Sequence, residues 1–282
     1  MAGAFRHFYL ALNFLTVVPC PWSGWEEEKE KGALARAAAF FPLVGGLLGG
    51  ILILLDRVLG LFLPSSVTAA AVLLALGLLT AGLHLDGLAD TFDGLGAVLK
   101  HGREKALQAM RDKYCGPVGV SGLLLVLLFK YSLLASLPPE LHPGGLLLMP
   151  AASRWLMVVA GWSFSYAHKV AGLGNEFIGR IGWRAAASAT LWAGLLLILG
   201  GAVDIMGGAG PAGAVGVAAT AGGLPALAVG LGVTLAGGLL VAFFFKRCFG
   251  GLSGDTLGAL NEIGEVMFLM GVLLGAVLAG RW

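Results

Sequence analysis

The chain has 282 residues, 58% of them apolar and only 12% charged, with a formal net charge of +2 and a mean hydropathy of +0.89. A soluble domain carries about 25% charged residues, so this chain cannot coat itself with water-facing charge, and disorder is excluded because it needs low hydrophobicity and high net charge. Glycine accounts for 46 positions without a Gly-X-Y period, which excludes collagen and suits close helix packing in lipid.

In chain order, Phe8 to Cys20 is a short apolar stretch with no clear cleavage site, and reads as an interfacial or entry helix. An eighth helix made from 5–20 is the alternative. A bilayer core needs about 20 apolar residues per helix. Seven stretches meet this: 33–55, 64–83, 117–137, 144–165, 185–203, 222–245 and 263–280. The Gly/Ala-rich segment 204–221 reads as a loop. The fold class is therefore all-α: a polytopic integral membrane helix bundle of about seven transmembrane helices, forming one domain over 1–282. Trp155, Trp162, Trp183, Trp192 and Trp282 mostly sit near span ends and read as interface anchors.

Alternating the seven spans puts 14 of the 18 Lys and Arg residues on the side of the N-terminus. Arg57 and Arg281 fall on the other side, and Lys130 and Arg154 fall inside spans. By the positive-inside rule the N-terminus is cytoplasmic. The polar segments 84–116, 166–184 and 246–262 then face the cytoplasm, and chemistry is expected there. Net charge near balance leaves no footprint for nucleic acid. Cys20, Cys115 and Cys248 are far apart and lack metal-ligand spacing, so a zinc site or disulfide framework is not expected.

The most informative stretch is Gly82-Leu-His-Leu-Asp-Gly-Leu-Ala-Asp-Thr-Phe-Asp-Gly94. Asp86, Asp90 and Asp93 are spaced i, i+4, i+7, one face of a helix. Three like charges beside an apolar span call for a compensating cation. Hard oxygen ligands at that density suit Mg²⁺, which commonly brings substrate phosphates with it. Two alternatives stay open: a solvated acidic helix end, and a sodium or proton site of a transporter. His84 lies off the carboxylate face.

The following segment is amphipathic and breaks at Gly116-Pro117. Arg103, Arg111 and Lys113 supply cations for phosphate oxygens, and Asp112 a further carboxylate. Positive-inside anchoring is the competing explanation for the basic residues. A second acidic element runs over 246–265, where Asp255, Glu262 and Glu265 share a face if a helix continues through Gly258. Gly250-Gly-Leu-Ser-Gly254 marks a helix start that favours an anion; Ser253 or Asp255 could also act only as an N-cap. Lys130 and Arg154 lie within spans, where a cation is costly and functional by default. Lys130 is expected to pair with a carboxylate, and Arg154 to face the same cavity.

These motifs, together with Asn13-Phe-Leu-Thr-Val-Val-Pro19, Phe40-Phe-Pro-Leu-Val-Gly45 and Met110-Arg-Asp-Lys-Tyr-Cys-Gly116, resemble the cobalamin synthase family, adenosylcobinamide-GDP ribazoletransferases, from near residue 5 to near 280. Lys113-Tyr-Cys115 and Ser253-Gly-Asp255 depart from the family's usual pattern without removing a carboxylate. The resemblance implies an enzyme that joins α-ribazole, or its 5′-phosphate, to adenosylcobinamide-GDP with release of GMP, late in cobalamin biosynthesis. It implies a bacterial or archaeal cytoplasmic membrane, and it leaves open a homo-oligomer and association with other late cobalamin-assembly enzymes. The expected metal ligands are Asp86, Asp90 and Asp93. Asp90, Asp93, Asp112 and His84 are catalytic candidates; Arg103, Arg111, Lys113, Asp255, Glu262, Lys130 and Arg154 are candidates for binding substrate. The rival readings are another Mg²⁺-dependent membrane transferase on a diphosphate, of the CDP-alcohol or prenyl class, and an ion-coupled transporter.

Overall fold

The structure, a computed structural model, describes residues 2–18, 32–112, 114–167, 173–207 and 216–280. Eleven α-helices are found among these residues: α1 (Ala2–Leu15), α2 (Ala33–Ala37), α3 (Phe41–Leu59), α4 (Ser65–Leu79), α5 (Leu83–His101), α6 (Arg103–Ala109), α7 (Pro117–Ala135), α8 (His142–Ser163), α9 (Trp183–Gly207), α10 (Gly216–Phe249) and α11 (Gly254–Leu278). A 3-10 turn joins α2 to α3. Six helical segments are long and apolar enough to cross a membrane, and α4 with α5 makes a seventh as a bent pair. α1, at 14 residues, is not among them. All seven expected spans thus have a helical counterpart.

Three boundaries differ from the sequence expectation. First, the span expected over 64–83 ends as α4 at Leu79, and α5 follows it after a 90° bend, the geometry of a broken span or of a re-entrant segment. The bend falls at Thr80–Gly82, where Ala81 (φ 50) and Gly82 (φ 68) both occupy the left-handed region. The Thr80 amide and hydroxyl both donate to the Leu76 carbonyl, at 3.2 and 3.0 Å, and the Val17 amide donates to the Leu79 carbonyl at 2.9 Å, so the exit of α1 occupies a carbonyl at the end of α4. Second, α11 begins at Gly254, ahead of the apolar run at 263, because Ser253 and Thr256 form a capping box. Third, α9 extends to Gly207 and α10 starts at Gly216, so the loop expected over 204–221 is shorter than its composition suggested; 208–215 lie outside the described residues.

α8 is almost wholly buried and forms the hub, with α3, α9, α11 and α10 packed around it. The glycines make these contacts close. A Cβ at Gly49 would lie 2.6 Å from the Leu147 Cα, so α3 and α8 approach backbone to backbone. A Cβ at Gly271 would lie 2.8 Å from the Gly230 Cα, which does the same for α10 and α11. Trp162 and Trp183 are at least half exposed, as anchors would be, whereas the Trp155 indole donates to the Thr190 hydroxyl at 3.0 Å and ties α8 to α9. Trp282 lies outside the described residues.

Candidate active site

α5 and α11 cross where both are narrow. A Cβ at Gly87 would meet the Asp255 carbonyl oxygen at 2.8 Å and its Cα at 3.0 Å, and a Cβ at Gly258 would lie 3.3 Å from the Gly87 Cα. This crossing brings the two acidic motifs together. Asp86 and Asp255 stand far apart in the chain, yet they line one cavity in the fold.

The cavity has a volume of about 500 Å³. His84, Asp86, Arg111, Tyr166, Ser253 and Asp255 form its polar lining. Tyr166 is held there by an isolated β-bridge between the segment after α8 and the segment before α11: the Ala167 amide donates to the Leu252 carbonyl at 2.7 Å, and the Leu252 amide to the Ser165 carbonyl at 2.9 Å. Burial and the nearby Asp255 carboxylate push the Tyr166 phenol up from its usual value, and Arg111 opposes them. Ser253 caps α11, accepting from the Thr256 amide at 3.2 Å, and lines the cavity together with Asp255, which leaves the Asp255 carboxylate free of the capping role.

The three aspartates of α5 have different surroundings. Asp86 lines the cavity, and Asp90 follows one turn later. Asp93 accepts from the Gly116 amide at 2.6 Å and the Gly119 amide at 2.7 Å, which places a carboxylate on the amino end of α7. Asp93 is thus held by two backbone amides, so the three expected ligands are not equivalent in their surroundings. Among the described residues no three His, Cys, Asp or Glu side chains converge as a metal-binding group. Arg103 reaches the backbone at Gly250, and Asp112 accepts from the Tyr114 amide at 3.2 Å; neither lines the cavity. Lys113 lies outside the described residues.

Lys130, Arg154, Glu262 and Glu265 form a separate layer. Glu262, at the end of the segment expected to face the cytoplasm, is 4% exposed, and Glu265 is 0% exposed. The reason is a compensating pair of cations. The Lys130 ammonium donates to Glu262 and, at 2.7 Å, to Glu265. The Arg154 guanidinium donates to Glu265 at 3.2 Å and to the Pro150 carbonyl at 2.9 Å. Two cations and two anions cancel, which is how such groups are tolerated in an apolar interior. Lys130, Arg154 and Glu262 therefore do not line the cavity that holds Asp86 and Asp255; they border a separate cavity of about 20 Å³, large enough for one water. His84 lines both cavities.

The sequence reading gave no role to Tyr166 or to the apolar lining residues: Phe14 and Met110 lie within the motifs that carry the resemblance, whereas nothing in the local pattern sets Tyr166, Met157 or Phe177 apart. It also missed Ser153, whose hydroxyl lies 3.4 Å from Glu265.

A family model described as cobalamin-5-phosphate synthase matches residues 7–273. The chain is 35% identical to an adenosylcobinamide-GDP ribazoletransferase of Acetivibrio thermocellus, over 94% of this chain and 96% of that one. It is 35% identical to the protein of that name from Geotalea daltonii, with the same coverage, and 36% identical to that from Citrobacter koseri, over 94% and 98%. No solved structure matches the chain.

Proposed function

The chain belongs to the cobalamin-5-phosphate synthase family and joins α-ribazole to adenosylcobinamide-GDP, and we propose that it does so in the cavity between α5 and the start of α11. The observation that carries this reading is the pairing of Asp86 and Asp255 across one cavity with Arg111 beside them. The reaction forms a bond from a ribazole hydroxyl oxygen to the phosphorus next to cobinamide, and breaks the bond from that phosphorus to the GMP oxygen. The hydroxyl proton goes to a carboxylate, for which Asp86 and Asp255 are placed. Arg111 holds phosphate oxygens. Positioning and electrostatics supply most of the catalysis in such transfers.

The donor set fits Mg²⁺. Asp86 and Asp255, which line the cavity, and Asp90, one turn along α5 from Asp86, offer the hard oxygen atoms that Mg²⁺ prefers, and one or two of them would hold an ion completed by phosphate oxygens and water. Bound there, Mg²⁺ supplies neutralisation of diphosphate charge. The bias of basic residues supports a cavity opening to the cytoplasm, where nucleotides are found.

The test is GMP release from adenosylcobinamide-GDP and α-ribazole by purified protein, titrated with Mg²⁺. Asp86→Asn and Asp90→Asn are expected to lower turnover by about 10² or more. Undiminished turnover by Asp90→Asn at saturating Mg²⁺ overturns the assignment.

A further inference from the structure

The cavity has two chemically distinct walls. One carries Asp86, Asp255 and Arg111. The other is made by Phe14, Met110, Met157, Phe177 and Leu257, with Tyr166 at its edge. Phe14 and Phe177 are fixed rather than loose. Their ring centroids lie 5.9 Å apart, and each packs on Phe41, at 5.8 and 6.1 Å, so the apolar wall belongs to a packed aromatic cluster in which Phe14 is half-buried and Phe177 and Phe41 are buried. Methionine sulfurs add polarisable contacts that suit a flat ring.

Size and polarity select the occupant. About 500 Å³ falls in the range for a small molecule. A corrin macrocycle with its peripheral amides is too large for it, whereas a bicyclic base with its ribose is not. Guanine carries donors and acceptors around its edge, and burying them against phenylalanine and methionine leaves them unpartnered. A dimethylbenzimidazole presents methyl groups and a hydrocarbon edge instead.

We propose that the wall of Phe14, Met110, Met157 and Phe177 is the subsite for the base of α-ribazole, which turns the ribose toward Asp86 and Asp255 and leaves corrin and guanine outside. This rests on the cavity being the active site. The base subsite makes the protein selective for a methylated apolar base: two methyl groups buried there are worth about fifteenfold in KM.

The experiment compares α-ribazole with the α-ribosides of unsubstituted benzimidazole and of adenine, for the wild type, Phe14→Ala and Phe14→Leu, with thermal unfolding run on each. The expected result is a wild-type preference for α-ribazole that Phe14→Ala flattens, with KM for α-ribazole raised, KM for adenosylcobinamide-GDP unmoved, and partial recovery in Phe14→Leu. A folded Phe14→Ala that keeps the wild-type discrimination, or raises KM for adenosylcobinamide-GDP instead, overturns the proposal. The two failures are distinguishable. If only the base assignment is wrong, Asp86→Asn is inactive while Phe14→Ala still discriminates. If the cavity is not the active site, both variants turn over normally.

Discussion

Replacing Lys130 with Met removes the cation that two buried carboxylates share. After the change Glu265 still accepts from Arg154 at 3.2 Å, Asn261 at 3.3 Å and Ser153 at 3.4 Å. Among the described residues Glu262 then keeps the Asn261 amide alone, at 3.5 Å. One carboxylate is thus stranded in an apolar interior, and removal of one partner from a buried pair costs about 3–5 kcal/mol. That is a large share of a typical stability of about 5–15 kcal/mol. Unfolding of purified protein in a fixed detergent, followed by helical signal, measures it. The second arm is Lys130→Met with Glu262→Gln, which removes the stranded charge together with its partner. It is expected to regain most of the loss, giving a coupling of about 2–3 kcal/mol between the two sites. Stability of Lys130→Met within about 1 kcal/mol of wild type, or simple additivity in the double variant, refutes the reasoning, because either shows that Glu262 does not depend on Lys130 for its charge.

Three further outcomes follow from the contacts. Asp93→Ala leaves two amides at the start of α7 without their acceptor and is expected to cost about 0.5–2 kcal/mol, with Asp93→Asn recovering part; unfolding midpoints check this, and the Mg²⁺ half-saturation should not move. Gly87→Ala forces α5 away from the Asp255 backbone, at a cost of about 1–3 kcal/mol, and lowers GMP release because Asp86 and Asp255 separate with it. Arg111→Ala should raise KM for adenosylcobinamide-GDP by about tenfold or more, with Arg111→Lys intermediate, read from initial rates at varied substrate.

Local features were legible in the sequence. A bilayer demands a length of apolar chain, so the seven spans could be read without knowing their neighbours, and each has its helix. The break at Gly116-Pro117 and the helix through Gly258 are also local, set by proline chemistry and by the Ser253–Thr256 cap. α5 was legible as a helix face but not as part of a span, because its aspartates lower its hydropathy and only the packing of Gly87 on α11 reveals that it is held within the bundle.

The partners of the scarce charges belong to the tertiary structure. The spacing of Glu262 and Glu265 states that they share a face, but not that the face meets Lys130, 132 and 135 positions away. The same holds for Asp93, whose oxygens meet α7, and for Asp86, which meets Asp255 only through the glycine crossing. Periodicity depends on a few neighbouring residues and is written in the chain. Which charges neutralise one another depends on how helices far apart in sequence come to lie side by side, and here that separates a buried ion network from the cavity proposed as the active site.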